Sequence, residues 1–98
     1  MATFITLFGW TEQGIKGVKD TAKRAEKFKG MIKKAGGTVK SIYWTMGRYD
    51  GVLIFDAPDD ETATAVLMTA GSMGNVRSET LRAFGEQEIQ RILDKVGA

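Results

Sequence analysis

The sequence predicts an α+β fold in which two amphipathic helices cover one face of a four-stranded antiparallel sheet. Runs rich in β-branched and aromatic residues alternate with stretches whose apolar residues recur every three or four positions. Glycines and a single proline separate these segments. The resulting order is β-α-β-β-α-β plus a final helix, which is typical of the split βαβ arrangement. Because crossovers are right-handed, we expect both main helices on the same face of the sheet.

The amino-acid composition excludes several kinds of function. The chain has 98 residues, of which 43% are hydrophobic and 27% charged, and this predicts one domain over residues 1–98. It contains neither cysteine nor histidine, which rules out disulfides, thiolate metal sites and a histidine base. The sequence shows no metal-ligand spacing, phosphate-binding loop, membrane-spanning run or basic leader. We therefore expect a cytoplasmic protein with no metal, no cofactor and no membrane partner.

The first half of the predicted fold is one strand and one long helix. Residues 3–10 are largely apolar on both faces, as in a central strand. Thr11 is a suitable N-cap for a short helical turn. Asp20 or Thr21 can cap the longer helix that follows, which ends at Gly36-Gly37. Its buried stripe has helical spacing and consists of Ala22, Ala25, Phe28, Met31, Ile32 and Ala35.

A β-hairpin is predicted next, with strands over residues 38–46 and 49–56. The turn is Met46-Gly47-Arg48, where glycine can adopt a positive φ at little cost. Residues 52–55 are apolar without alternation, so we expect both faces of this strand to be buried.

The second half repeats the helix-and-strand pattern and adds a last helix. Asp59 is a suitable N-cap for a second helix, and this helix ends at a glycine-containing segment over residues 71–74. A fourth strand is predicted over 75–84, and a final helix over 86–96. The order matches a ferredoxin-like fold. The apolar positions of the two helices are Ala63, Val66, Leu67 and Ala70 in the first, and Ile89, Ile92, Leu93 and Val96 in the second.

The sheet is predicted to have one face that no main helix covers. Its strands nevertheless carry apolar residues on both faces, and an exposed apolar face marks an interaction surface. The simplest cover is a second copy of the same sheet, since closed symmetric pairs are the commonest oligomers. We predict a homo-oligomer, most simply a dimer with facing sheets; a trimer or a hexamer fits the same pattern.

Two motifs resemble those of the GYD domain family. The first is Gly47-Arg-Tyr-Asp50, which is followed by a strand and by Ala57-Pro-Asp-Asp60. The second is Gly74-Asn-Val-Arg-Ser-Glu-Thr-Leu-Arg-Ala-Phe84. The resemblance covers nearly the whole chain and implies the dimeric α/β-barrel group. That group includes cofactor-free monooxygenases, stress-response proteins and haem-handling enzymes, whose histidine ligand is missing here. The GYD family has no established activity, so the resemblance implies a fold and leaves the function open.

The candidate catalytic residues are Asp50 and Tyr49. Asp50 can act as a general base if burial raises its pKa, and Tyr49 can donate to an oxyanion. Arg48 can hold an anionic substrate. In the structural alternative, which we favour, Asp50 caps or pins the hairpin, or pairs with Arg77 or Arg82.

Further candidate ligand contacts are Thr6, Trp44 and Arg82. Trp44, with Trp10 and Tyr43, can wall an aromatic pocket, but sheet-to-sheet packing is the explanation that we prefer for these residues. Arg82 on an apolar strand face can anchor a carboxylate or phosphate; alternatively it pairs with an acid across an oligomer interface.

Nucleic acid is not an expected partner. Eight basic and two acidic residues lie between Lys16 and Lys34, but such a lysine-rich helix face is usually solvated.

Three hypotheses about the function remain open. The first is a homo-oligomer that binds a small ligand, anionic ones included, between facing sheets. The second is a cofactor-independent enzyme, monooxygenase- or isomerase-like, that uses Asp50 and Tyr49 on a small carbonyl or phenolic substrate. The third is a purely structural role in assembly.

Overall fold

The computed structural model describes residues 1–97 and confirms the α+β, ferredoxin-like fold. Its sheet contains four strands in the order β2-β3-β1-β4, and each neighbouring pair is antiparallel. The elements are β1 (Ala2–Trp10), α1 (Glu12–Lys16), a 3-10 turn (Val18–Asp20), α2 (Thr21–Lys34), β2 (Thr38–Trp44), β3 (Gly51–Ala57), α3 (Asp60–Ser72), β4 (Val76–Ala83) and α4 (Glu86–Asp94).

The strand register gives the sheet two different faces. Along β1, Phe4, Thr6 and Phe8 are buried and point toward α2 and α3; we call this side the helix face. The residues between them lie on the opposite side, which we call the open face. β3 alternates in the same way, with its even-numbered residues 52, 54 and 56 only half-buried. The prediction that both faces of β3 are buried was therefore wrong for the isolated chain, because the open face has no helix packed on it.

The core lies between the helix face and the two long helices. Phe55 is completely buried; its ring stacks on Phe4 at 5.4 Å and meets Phe28 of α2 edge-on at 6.1 Å. Ile32 of α2 and Val66 of α3 complete the contact from the helix side. Burial of each large apolar side chain contributes about 1.5–3 kcal/mol, so this cluster fixes the helices on the sheet.

The hairpin between β2 and β3 has a longer loop than the sequence predicts. β2 ends at Trp44 and β3 begins at Gly51, so residues 45–50 form the connection. The Thr45 amide donates to the Asp50 carbonyl at 2.9 Å, and the Thr45 hydroxyl donates to the Tyr49 carbonyl at 2.7 Å. Gly47 has a φ of 107°, as predicted for the turn glycine.

The start of α3 is fixed by the expected residue, whereas the Asp20 side chain at the start of α2 makes no capping hydrogen bond. The Asp59 carboxylate accepts a hydrogen bond of 2.8 Å from the Thr62 amide, which confirms Asp59 as the N-cap of α3. Helix α4 ends at Asp94, two residues before the predicted end. Within residues 1–97, no helix is both long enough and apolar enough to cross a bilayer.

Candidate functional site

A cavity of about 200 Å³ lies between the helix face of the sheet and helices α2 and α3. The strands are antiparallel, so the C-terminal ends of β1 and β2 meet the N-terminal ends of β3 and β4 at one edge of the sheet. The cavity occupies this edge, beside the first half of α2 and the second half of α3. Trp44 and Met73 line it and are exposed, so it opens to solvent.

The walls of the cavity are mainly apolar and rich in aromatic rings. Both tryptophans of the chain, Trp10 and Trp44, line it. The remaining apolar lining residues are Phe8, Ala25, Phe28, Met31, Ile42, Leu53, Leu67, Ala70, Met73 and Val76. Small-molecule sites are typically concave, mostly apolar and provided with a few polar groups, and this cavity has that character.

The sheet contributes hydroxyl groups to the cavity. Thr6 is only 1% exposed, and its hydroxyl shares a hydrogen bond of 2.9 Å with the hydroxyl of Thr80 on the neighbouring strand. Thr6 and Ser78 both line the cavity. The pairing with Thr80 satisfies the buried Thr6 hydroxyl, so this group does not by itself require a ligand.

Two cations on α2, Arg24 and Lys27, also line the cavity. The guanidinium of Arg24 donates to the Gly14 carbonyl at 3.0 Å and to the Gly17 carbonyl at 2.9 Å. None of the lining residues in the described part of the chain carries a carboxylate. The cavity therefore combines an aromatic interior with positive charge on one wall.

The carbonyl partners of Arg24 are themselves fixed by the sequence around α1. The Thr11 hydroxyl caps α1 by accepting from the Gly14 amide at 3.0 Å, and it donates to the Gly74 carbonyl at 2.6 Å. At Gly14 a Cβ atom would collide with the Asn75 carbonyl, so only glycine permits this close approach. Helix α1 is thus held against the α3–β4 connection.

Two of the predicted ligand contacts, Thr6 and Trp44, line the cavity. Asp50, Tyr49 and Arg48 are not among its lining residues. The Tyr49 hydroxyl donates to the Glu79 carboxylate at 3.0 Å, and the register places Glu79 on the open face. The Arg48 guanidinium lies 5.6 Å from the centre of the Tyr49 ring.

Asp50 connects the hairpin loop to β1. Its carboxylate accepts from the Trp10 amide at 2.8 Å, and its own amide donates to the Phe8 carbonyl at 2.8 Å. This is the pinning role of the structural alternative. The expected partners Arg77 and Arg82 form no ion pair with Asp50 in residues 1–97.

Arg82 lies on the helix face, near the end of the sheet opposite the cavity. Its guanidinium pairs with the Glu88 carboxylate of α4 at 3.1 Å and stacks on Phe84 and Phe4 at 4.6 and 5.7 Å. Arg82 therefore has an acidic partner within its own chain. Hydrogen bonds from the Gly85 amide and from Arg82 lower the pKa of Glu88 below its ordinary value of 4.5.

Sequence reasoning missed Arg24 and Lys27 because it assigned every basic residue of α2 to the solvated side. A usable indication was present: Arg24 precedes Phe28 by four positions, and Lys27 precedes Met31 by four. Residues with that spacing lie on the same side of a helix, so both cations border the buried stripe.

Comparison with known proteins identifies the family of this chain. The solved structure of TTHA0845 from Thermus thermophilus is similar, with a TM-score of 0.53 and 24% identity over 87% of this chain and 95% of that chain. This likeness supports the fold. A search of the curated proteins gave no match. The family model for the GYD domain matches residues 4–93, in agreement with both motifs. The chain therefore belongs to the GYD domain family.

Proposed function

We propose that this protein binds a small, largely apolar ligand in the cavity between the sheet and helices α2 and α3. The observation that carries the proposal is the cavity itself, with about 200 Å³ of space and both tryptophans in its lining. Small-molecule sites are concave and mainly apolar, with a few polar groups, and the lining of this cavity has the same composition.

The size and lining of the cavity indicate the size of the ligand. An apolar cavity of about 150 Å³ holds a benzene ring. The present cavity has room for one ring with a small substituent, and its volume is below the range of drug-sized pockets, which begins at about 300 Å³. Aromatic walls favour a planar ligand through offset or edge-to-face contacts.

Binding is a better proposal than catalysis for this cavity. Acid-base catalysis requires a proton acceptor within reach of the substrate, and none of the described lining residues is a carboxylate. Asp50 and Tyr49 are not among the cavity-lining residues. The Asp50 carboxylate also accepts a hydrogen bond from the Trp10 amide. The enzymatic hypothesis would require a second site around those two residues.

The proposal includes a homo-oligomer in which open faces pack against each other. Leu81 on the open face is 47% exposed and Tyr43 is 62% exposed, although both belong to strands. A second sheet would cover them together with Ile5 and Ile54. This contact leaves the cavity free, because the cavity opens on the other side of the sheet.

Tryptophan fluorescence tests the binding proposal directly, because both tryptophans line the cavity. We expect titration with toluene or benzyl alcohol to change the emission in a saturable manner. Ala70 lines the cavity on α3, whereas Ala65 is exposed on the same helix. The Ala70→Phe variant should lose the response because its ring fills the space, and the control Ala65→Phe should keep it. A native protein that gives no saturable response, or an Ala70→Phe variant that binds normally, would refute the proposal.

A further inference from the structure

The cavity carries an uncompensated positive charge, and this charge defines the class of ligand more closely. We propose that the ligand is an aromatic carboxylate with a single ring, whose carboxylate binds Arg24 and Lys27 while its ring lies against Trp10, Trp44 and Phe28. This inference rests on the proposed function, since it assigns a ligand class to the same cavity.

Arg24 is already positioned for such a contact. Two of its N–H groups bind the carbonyls of Gly14 and Gly17, which fixes the plane of the guanidinium. A guanidinium has five N–H donors, so the two carbonyls leave three of them unused. The side chain is half-buried, and partial removal from water strengthens a charge-assisted hydrogen bond.

Lys27 lies three residues further along α2, on the same side of the helix. Three other lysines have a carboxylate oxygen close to their ammonium nitrogen. The distance between the two atoms is 3.5 Å at Lys16, 3.3 Å at Lys29 and 3.7 Å at Lys40. Within residues 1–97, no carboxylate lies within 4.0 Å of the charged nitrogens of Arg24 or Lys27. Two like charges at this spacing repel each other, and a bound anion would remove that repulsion.

The aromatic part of the cavity lining is suited to a ring. Trp44 comes from β2, Trp10 from β1 and Phe28 from α2, so aromatic groups from three elements line the cavity. A benzoate-sized molecule can therefore place its ring among these side chains and its carboxylate at α2. The volume of about 200 Å³ admits one ring with a carboxylate.

The experiment compares three probes of similar size and different charge: benzoate, benzyl alcohol and benzylamine. Binding is measured by tryptophan fluorescence and by calorimetry at low and high salt. We expect benzoate to bind at least about tenfold more tightly than benzyl alcohol, since hydrogen bonds to charged groups are the stronger class. Benzylamine should bind most weakly, and high salt should reduce the preference for benzoate.

Variants on α2 identify the residues responsible. Lys27→Gln and Arg24→Gln should each reduce the affinity for benzoate several-fold and reduce the affinity for benzyl alcohol much less, so that the preference for benzoate over benzyl alcohol falls. Lys29→Gln is the matched control, because Lys29 lies on the same helix, pairs with Glu26 and does not line the cavity. Arg24 also holds the α1 segment, so its replacement can disturb folding. Arg24→Lys keeps the positive charge and serves as the conservative variant. Circular dichroism of each variant measures any loss of folding.

The outcomes separate this inference from the proposed function. Equal affinity for benzoate and benzyl alcohol would overturn the carboxylate assignment and leave the binding function intact. A benzoate preference that survives in Lys27→Gln and Arg24→Gln, as in Lys29→Gln, would also overturn it. If none of the three probes binds, both the function and the ligand class are refuted.

Discussion

At the scale of single residues, the contact between Gly51 and Phe8 shows how a missing side chain shapes the helix face. Gly51 is buried at the start of β3 and lies opposite Phe8 on β1. A Cβ atom at Gly51 would lie within 2.8 Å of three ring atoms of Phe8. Glycine therefore lets the ring lie over the start of β3, beside the cavity that Phe8 lines.

We predict that Gly51→Ala destabilises the protein by about 1–3 kcal/mol, because the added methyl group overpacks the site and displaces the Phe8 ring. Gly30 provides the control. It is exposed within α2, and the Cβ that alanine would add there meets no neighbouring group within 4 Å. Gly30→Ala should stabilise the protein by roughly 0.5–1 kcal/mol through helix propensity. Urea unfolding of both variants measures the difference, and equal stabilities would contradict this account of Gly51.

At the scale of secondary-structure elements, helix α3 depends on the cap that precedes it. The hydrogen bonds from Thr62 to the Asp59 carboxylate lower the pKa of Asp59 below its ordinary value of 3.8. A carboxyl group with a lowered pKa in the folded state binds its proton more weakly there than in the unfolded chain. Its contribution to stability is therefore complete above about pH 3.8 and is lost as the pH falls through the lowered value.

We predict that the stability of Asp59→Asn depends less on pH in the acid range than the stability of the native protein does. Asparagine also caps helices but carries no titrating proton, so the variant should lose less stability than the native protein as the pH falls from neutral into the acid range. Asp59→Ala removes the cap altogether and should lower Tm at neutral pH. Thermal melts across this range make the comparison. Identical acid dependence in the native protein and Asp59→Asn would show that this carboxylate does not contribute.

At the scale of the whole molecule, the two faces of the sheet have different roles. The helix face contains the core and the cavity, whereas the centre of the open face is apolar and has no helix packed on it. Ile54 lies opposite Ile5 at the centre of that face. Polar side chains surround this centre: Thr3 donates to Asp56 at 2.6 Å, and Tyr49 donates to Glu79 at 3.0 Å. An apolar centre with a polar rim is the usual anatomy of an interface.

We predict that Ile54→Lys prevents the proposed oligomer from forming, because two facing lysines cannot be buried in a dimer without partners. Met68→Lys is the control, since Met68 is 70% exposed on the outer side of α3. Native mass spectrometry should show a dimer or a multiple of it for the native protein and for Met68→Lys. A monomeric native protein, or an Ile54→Lys oligomer like that of the native protein, would refute the facing-sheet model.

The fold could be predicted in most of its parts because the relevant signals are local. The spacing of Phe28, Ile32 and Ala35 predicts the buried side of α2, although Ala22 of the same predicted stripe is exposed. Asp59 predicts the start of α3. The hairpin loop was less well predicted, because Asp50 bonds to β1, a strand about forty residues earlier, and no local pattern reveals that contact.

The site was predictable only in part, because a cavity arises from the gap between elements that are distant in sequence. Local patterns were enough to establish the βαββαβ order, the apolar composition of the strands and the lack of histidine and cysteine. The packed structure was needed to show that Trp10, Trp44 and Arg24 line one cavity and that Tyr49 and Asp50 are not among its lining residues. The physical reason is that periodicity fixes which side of an element is buried, whereas the position of a void depends on how sheet and helices pack.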